Sequence, residues 1–276
     1  KGAYLPFEMA FPSRFVISPE IIGTDDAQRA KDACQYDAVD LTMEAKTLNL
    51  NVGSIVWATG WQPYDATKMD NLGFGQYPNV ITNMMMERLA APNGPTKGSI
   101  VRPSDGKEPA SVGFVQCAGS RDENHLPYCS YICCMASLKQ VTYVRERYPE
   151  AKIYVFYIDL RTPGYRYERF YEKIKEDENI FLIKGKVAEV SEDPTSKNIT
   201  VVAENAVTGE KIHQEVEMAI LATGMQPTTA TDRLPADLQY NEDGFILNDY
   251  AAGGMFGTGC ANKPADVVSS NQNATG

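Results

Sequence analysis

With 276 residues, 43% of them apolar, the chain is long enough to bury a core and to form about two domains. A formal charge of −10 argues against nucleic acid or an anionic membrane surface as a direct partner. No apolar run approaches the roughly 20 residues that cross a bilayer, so no direct membrane span is expected.

The chain opens Lys1-Gly-Ala-Tyr-Leu-Pro-Phe7 without a Met or a signal peptide, and both ends read as cuts through a longer protein. Residues 1–30 are rich in Pro and aromatics and read as an extended crossing. Asp25 to Tyr36 has helical composition. Ser54–Ala58 reads as a buried strand that runs into Thr59-Gly60-Trp-Gln-Pro63. Residues 64–110 hold many Gly and Pro and one short helix candidate, Asn83 to Ala90, and Ala91–Ala110 reads as a linker.

A second α/β pattern begins at Ser111. Ser111–Gln116 reads as a buried strand, Met135–Arg147 as a helix and Lys152–Ile158 as a strand. Tyr165–Asp177 is an amphipathic helix, followed by strands at 180–184, 186–191 and 198–204. His213–Leu221 then runs into Ala222-Thr-Gly224. This alternation argues for a parallel sheet with covering helices. Trp57-Ala-Thr-Gly-Trp-Gln-Pro63 and Leu221-Ala-Thr-Gly-Met-Gln-Pro227 match at five of seven positions. Small residues at such strand ends permit a sharp turn and close approach by a neighbouring chain or cofactor.

Four of the six cysteines, Cys117, Cys129, Cys133 and Cys134, fall within eighteen residues, at the turn between that first strand and its helix. Clustered, partly adjacent cysteines fit a reduced, cytoplasmic setting with metal or redox chemistry better than a disulfide framework. An open α/β sheet binds its ligand at such a turn. A dinucleotide-binding domain would carry G-x-G-x-x-G here. This turn has only Gly119, followed by Arg121, Asp122 and Glu123, which oppose a pyrophosphate by bulk and, for the carboxylates, by charge. NAD(P)H is therefore not expected. Four thiolates complete a 4Fe–4S site. On a helix Cys129 and Cys133 would share a face with Cys134 beside them, and Cys117 would close from the strand end. The residues alone leave three readings open: a cluster, a Cys129/Cys133 dithiol exchanging electrons with a flavin, and structural thiols, zinc included.

Together these motifs resemble the flavoproteins with two dinucleotide-binding domains, of which thioredoxin reductase is the simplest. The closer resemblance is to the A subunit of heterodisulfide reductase, and within that group to the A subunits of quinone-interacting membrane-bound oxidoreductases of sulfate reducers. It rests on Gln116–Asp122, Pro127–Cys134, Asp159-Leu-Arg-Thr-Pro-Gly164 and Gly257–Val267. The resemblance implies an α/β fold of two Rossmann-like domains, with the flavin domain incomplete at its N-terminus. The segments would be 1–63 (partial flavin domain), 64–110 (crossing), 111–227 (inserted unit with the cysteines) and 228–276 (return to the flavin domain). It implies FAD at Ala58, Thr59, Gly60, Trp61, Gly224, Gly257, Thr258, Gly259, Cys260 and Asp266, and a 4Fe–4S cluster on Cys117, Cys129, Cys133 and Cys134. In the wider family an Asp holds the ribityl chain where Thr258 or Cys260 stands here. The implied function is electron transfer between FAD and the cluster and on to partner subunits of a membrane-associated complex. That complex would link a quinone pool to the reduction of adenylylsulfate or other sulfur compounds. An NAD(P)H-dependent disulfide reductase and a cofactor-free scaffold are the rivals.

Cys34 looks like a lone remnant of a ferredoxin-type run, and no cluster is expected there. His125 reads as an exposed loop residue, and Cys260 as a small buried one. Tyr165, Tyr167, Phe170, Tyr171 and Ile174 read as core or subunit interface, and Arg161 and Arg169 as a docking surface or a solvated face.

Overall fold

The computed structural model describes residues 2–7, 13–44, 46–250 and 253–276, in two compact units, Lys1–Val52 and Gly53–Gly276. In the first unit, strand β1 (Ala3–Tyr4) pairs antiparallel with β2 (Val16–Ile17), and helix α1 (Asp25–Asp32) buries only Ala27. Of the expected Pro- and aromatic-rich crossing, Phe7 and Phe15 are exposed, and Phe11 and Pro12 lie outside the described residues. α1 stops short of Tyr36 because the chain turns at Cys34, whose Sγ accepts the Ala38 N–H at 3.4 Å, and Asp37 takes a left-handed φ of 49°.

The second unit runs β3 (Ile55–Trp57), β4 (Trp61–Pro63), β5 (Val80–Thr82), α2 (Asn83–Ala90), β6 (Ser111–Ala118), α3 (Cys133–Arg147) and β7 (Lys152–Tyr157). It continues through α4 (Tyr165–Lys175), β8 (Ile180–Lys184), β9 (Val187–Glu192), β10 (Ile199–Glu204), β11 (Lys211–Val216), β12 (Met218–Thr223) and β13 (Met225–Pro227). It closes with β14 (Gln239–Tyr240), β15 (Ile246–Leu247), β16 (Met255–Gly257) and α5 (Val267–Thr275).

Five parallel strands in the order β5-β12-β6-β7-β8 form the central sheet. Its alternating residues serve two cores, as a period of two requires. Ile81, Val112, Phe114, Ile153, Val155, Met218 and Ile220 pack with Met86 of α2 and Val141 and Val144 of α3. Val80, Val115, Phe156, Ala219 and Leu221 face the other way, against Val190, Ile199, Val201 and Val216. β12 is buried at every position, which explains its unbroken apolar run.

Three expectations are corrected. The strands from 187 to 216 do not extend the parallel sheet. They form a separate antiparallel sheet, β11-β10-β9, that covers one face of it. The stretch 213–221 is two strands, broken at Glu217, whose carboxylate accepts the Ala110 N–H at 2.8 Å while Val216 and Met218 enter different sheets. The stretch 64–110 is not all linker. Val80–Thr82 is the edge strand of the central sheet, Thr82 caps α2 through the Met85 N–H, and Ile100 and Arg102 are buried. A three-residue strand set among Gly and Pro is too short to show periodicity.

Ile55 and Val56 are exposed, contrary to the buried strand expected, because among the described residues β3 pairs only with β16. The two repeat copies pair with each other. β4 runs antiparallel to β13, with Trp61 opposite Pro227, Gln62 opposite Gln226 and Pro63 opposite Met225.

Candidate functional site

Cys117 is the seventh residue of β6, and Cys133 and Cys134 open α3. Cys129 does not share a helical face with Cys133, as the sequence spacing suggested. α3 begins only at Cys133, because Pro127 and the left-handed Tyr131 (φ 69°) keep the preceding residues irregular. The four cysteines converge nevertheless. All four line one small cavity with Ser120, Arg121, Ser130, Tyr131, Asp159 and Arg161. Of the six non-glycine residues with positive φ among those described, Cys117, Arg121 and Tyr131 lie in this turn. Strain concentrated in this way marks a segment whose shape is imposed by its surroundings.

Those surroundings are the second Ala-Thr-Gly turn. The Met225 N–H donates to Ser130 Oγ at 2.7 Å, Ser120 and Ser130 hydroxyls meet at 2.7 Å, and Tyr128 OH donates to Met225 O at 2.8 Å. Gly224 lies so close that a Cβ would stand 2.4 Å from Ser120 Oγ and 2.6 Å from Leu126 Cδ1. Gly224, assigned to FAD by the resemblance, thus packs against the cysteine turn. Its counterpart Gly60 has a φ of +74°, and a Cβ added there would meet nothing within 4 Å. The same motif therefore has two causes, close approach in one copy and backbone conformation in the other.

Burial pushes the Cys117 thiol up to about 11, with the neighbouring Cys134 adding to it, and burial likewise raises Cys133 and Cys134. The Cys133 thiol points to Thr223 O and that of Cys134 to Asp159 O, each at 3.6 Å. Arg121 pairs with Asp159 at 2.9 Å. The enclosed space is about 10 Å³, at the limit for one water.

In kind the donor set fits an iron–sulfur cluster: four soft ligands, Cys133 and Cys134 buried and Cys117 and Cys129 half-buried, two of them at a helix N-terminus and with arginines alongside. Among the described residues no group of three or more His, Cys, Asp or Glu is arranged around a single metal ion.

The remaining flavin candidates fall in a second group. β3 and β16 are parallel, with Trp57 opposite Gly257, so Ala58–Trp61 and Gly257–Cys260 leave adjacent strand ends. Trp57 Nε1 and Thr59 Oγ1 are buried there without a partner among the described residues, as suits contact with a polar ligand. Several donors at the second strand end are already used. Gly257 N–H donates to Asn248 Oδ1 at 2.7 Å, Gly259 N–H to Asn273 Oδ1 at 2.9 Å, and Thr258 Oγ1 to Asn273 Oδ1 at 3.3 Å. Cys260 Sγ points to Ala265 O at 3.4 Å. Asp266 caps α5 by accepting the Ser269 N–H at 2.7 Å.

An apolar cavity of about 350 Å³ lies between these groups, lined by Tyr131, Ile132, Met135, Tyr167, Phe170 and Asp266 among others. Tyr131 lines both this cavity and the thiol cavity. Tyr167 OH donates to Asp266 Oδ2 at 3.3 Å, so part of the aromatic stripe faces a cavity. His125 is held by Tyr64 OH at 3.0 Å instead of standing free. Arg161, expected on a docking surface or a solvated face, lines the thiol cavity.

No family model matches the chain. It is 38% identical over 281 residues to the second of the iron–sulfur A subunits of CoB–CoM heterodisulfide reductase in Methanopyrus kandleri, covering 98% of this chain and 42% of that one. It is 31% identical to the A subunit of the H2:CoB–CoM heterodisulfide,ferredoxin reductase of Methanothermobacter thermautotrophicus, covering all of this chain and 43% of that one. It is 35% identical to the A subunit of the ferredoxin/F420H2-dependent CoB–CoM heterodisulfide reductase of Methanosarcina acetivorans, covering 97% and 35%. The chain thus spans about two fifths of the curated relatives it matches. Among solved structures, thioredoxin reductase from Lactococcus lactis superposes with a TM-score of 0.50 at 15% identity, over 80% of this chain and 62% of that one. The fold is thioredoxin reductase-like, mixed α/β with a parallel sheet. No helix among the described residues is long and apolar enough to cross a membrane.

Proposed function

The chain is similar to the A subunits of heterodisulfide reductases over nearly all of its length, and from that premise we propose that it is the flavin- and cluster-carrying part of an electron-transfer oxidoreductase subunit. Cys117, Cys129, Cys133 and Cys134 hold a 4Fe–4S cluster. Ala58–Trp61, Gly257–Cys260 and Asp266 contact FAD, with Gly224 supporting the cysteine turn. The inserted lobe is 111–227, to which Val80–Ala90 adds a strand and a helix. When bound, the cluster exchanges single electrons and FAD one or two, and the subunit passes them to partner subunits.

The observation that carries this reading is the convergence of four thiols from three segments on one cavity. The chain's own residues bind and shield the site. The serine pair and Tyr128 fix the turn, Arg121 and Arg161 offset thiolate charge, and burial keeps water from Cys133 and Cys134. Because burial raises the Cys117 and Cys134 thiols, binding a cluster there would expel their protons. A redox dithiol instead needs a thiolate at neutral pH, and the surroundings of Cys133 work against one. At the finer level, the subunit sits on the cytoplasmic side of a membrane through partner subunits and links a quinone pool to reduction of adenylylsulfate or related sulfur compounds. The motifs shared with the quinone-interacting complexes support that assignment. Iron and acid-labile sulfide measured after anaerobic purification test the cluster. One 4Fe–4S equivalent per chain, lost in Cys129→Ala, is expected, and an iron-free protein that keeps a reducible Cys129/Cys133 pair refutes it.

A further inference from the structure

We propose that Arg121 and Asp159 form a charge pair that tunes the cluster's reduction potential, Arg121 raising it and Asp159 restraining that effect. This rests on the cluster reading above. Both residues line the thiol cavity, and they meet at 2.9 Å from different segments, the strained turn after β6 and the loop after β7. Arg121 is held there by the backbone. Its φ is 55°, and its N–H donates to Tyr128 O at 3.0 Å. Its guanidinium pairs with Asp159 at the cavity that all four thiols line. The side chains are 25% and 51% exposed, so the arginine is the less screened of the two.

Reduction adds one negative charge to a cluster. A nearby cation favours the reduced state and a nearby anion the oxidised one, and a partly buried setting strengthens both effects. The two residues therefore act with opposite signs on one quantity. A clamp that only shaped the turn would respond in the same way to loss of either partner. Asp159 also offers its backbone carbonyl to Cys134, and Asp159→Asn leaves that contact in place.

The test is an EPR-monitored redox titration of the anaerobically purified protein and of Arg121→Gln, Arg121→Lys and Asp159→Asn. Arg121→Gln is expected to lower the reduced-to-oxidised ratio about tenfold at fixed potential, a downward shift of about 59 mV for one electron. Arg121→Lys shifts it less, and Asp159→Asn shifts it upward. Shifts of one sign in both, no shift, or cluster loss in both beside a loaded wild type overturn the charge-pair inference alone. A wild type that binds no iron overturns the cluster reading and this inference with it.

Discussion

Gly224→Ala tests whether the second Ala-Thr-Gly turn supports the cysteines. The added methyl would lie 2.4 Å from Ser120 Oγ, 2.6 Å from Leu126 Cδ1 and 3.1 Å from Ser130 Oγ. These neighbours are buried, and the two serines are joined to each other, so they have little room to yield. Overpacking of this kind costs about 1–3 kcal/mol. Displacing the serine pair also threatens the Met225–Ser130 hydrogen bond, worth about 1 kcal/mol. Together these amount to about 1–4 kcal/mol, and at about 2–4 °C per kcal/mol for a unit of this size the midpoint of thermal unfolding falls by about 2–16 °C. Gly60→Ala is the control, costing about 1–2 kcal/mol through its left-handed backbone but meeting no atom within 4 Å. Calorimetry with iron analysis after anaerobic reconstitution should show both variants destabilised and only Gly224→Ala impaired in iron uptake. Equal iron uptake in the two would refute the argument.

Arg145 donates to Asp177 Oδ2 at 2.7 Å and to Ala151 O at 2.9 Å, and its loss in Arg145→Ala should cost about 2 kcal/mol. Burial alone would raise the Asp177 carboxyl, but Arg145 and the Asn179 N–H more than offset it and hold it below the usual carboxylate range. A lowered folded pKa gives stability that is full above about pH 4 and lost as pH falls through the lowered value. The gap between wild type and variant in urea melts should therefore narrow in acid, and a gap that widens would contradict this. NADH mixed with the flavin-loaded protein should leave flavin absorbance unchanged over seconds in a stopped-flow trace. Rapid bleaching would show that the cysteine turn admits a nicotinamide after all.

What the sequence disclosed followed from patterns of sufficient length. The apolar run of β12 was legible because it is unbroken, though not its start, and the spacing of α3 because it spans several turns. Val80–Thr82 was hidden because three residues carry no period, and the break at Glu217 because apolar residues flank it on both sides. The cysteines announced a shared site through their density. Their arrangement was misread at Cys129, since a four-residue spacing implies a common face only inside a helix, and Tyr131 interrupts that helix. Gly224 and Gly60 looked equivalent because a motif records residue identity, while close approach and backbone conformation are set by tertiary neighbours. Arg121 was visible as an obstacle to phosphate, but its pairing with Asp159 joins residues on adjacent strand ends and leaves no local signal.

The central claim is that one cluster sits on these four thiols. Low-temperature EPR and Mössbauer spectra of the anaerobically isolated protein, beside single Cys→Ser variants at 117, 129, 133, 134 and 260, address it most directly. The account predicts one 4Fe–4S signature, lost or altered by each of the first four changes and preserved in Cys260→Ser. An unchanged spectrum in any of those four, or its loss only in Cys260→Ser, would contradict it.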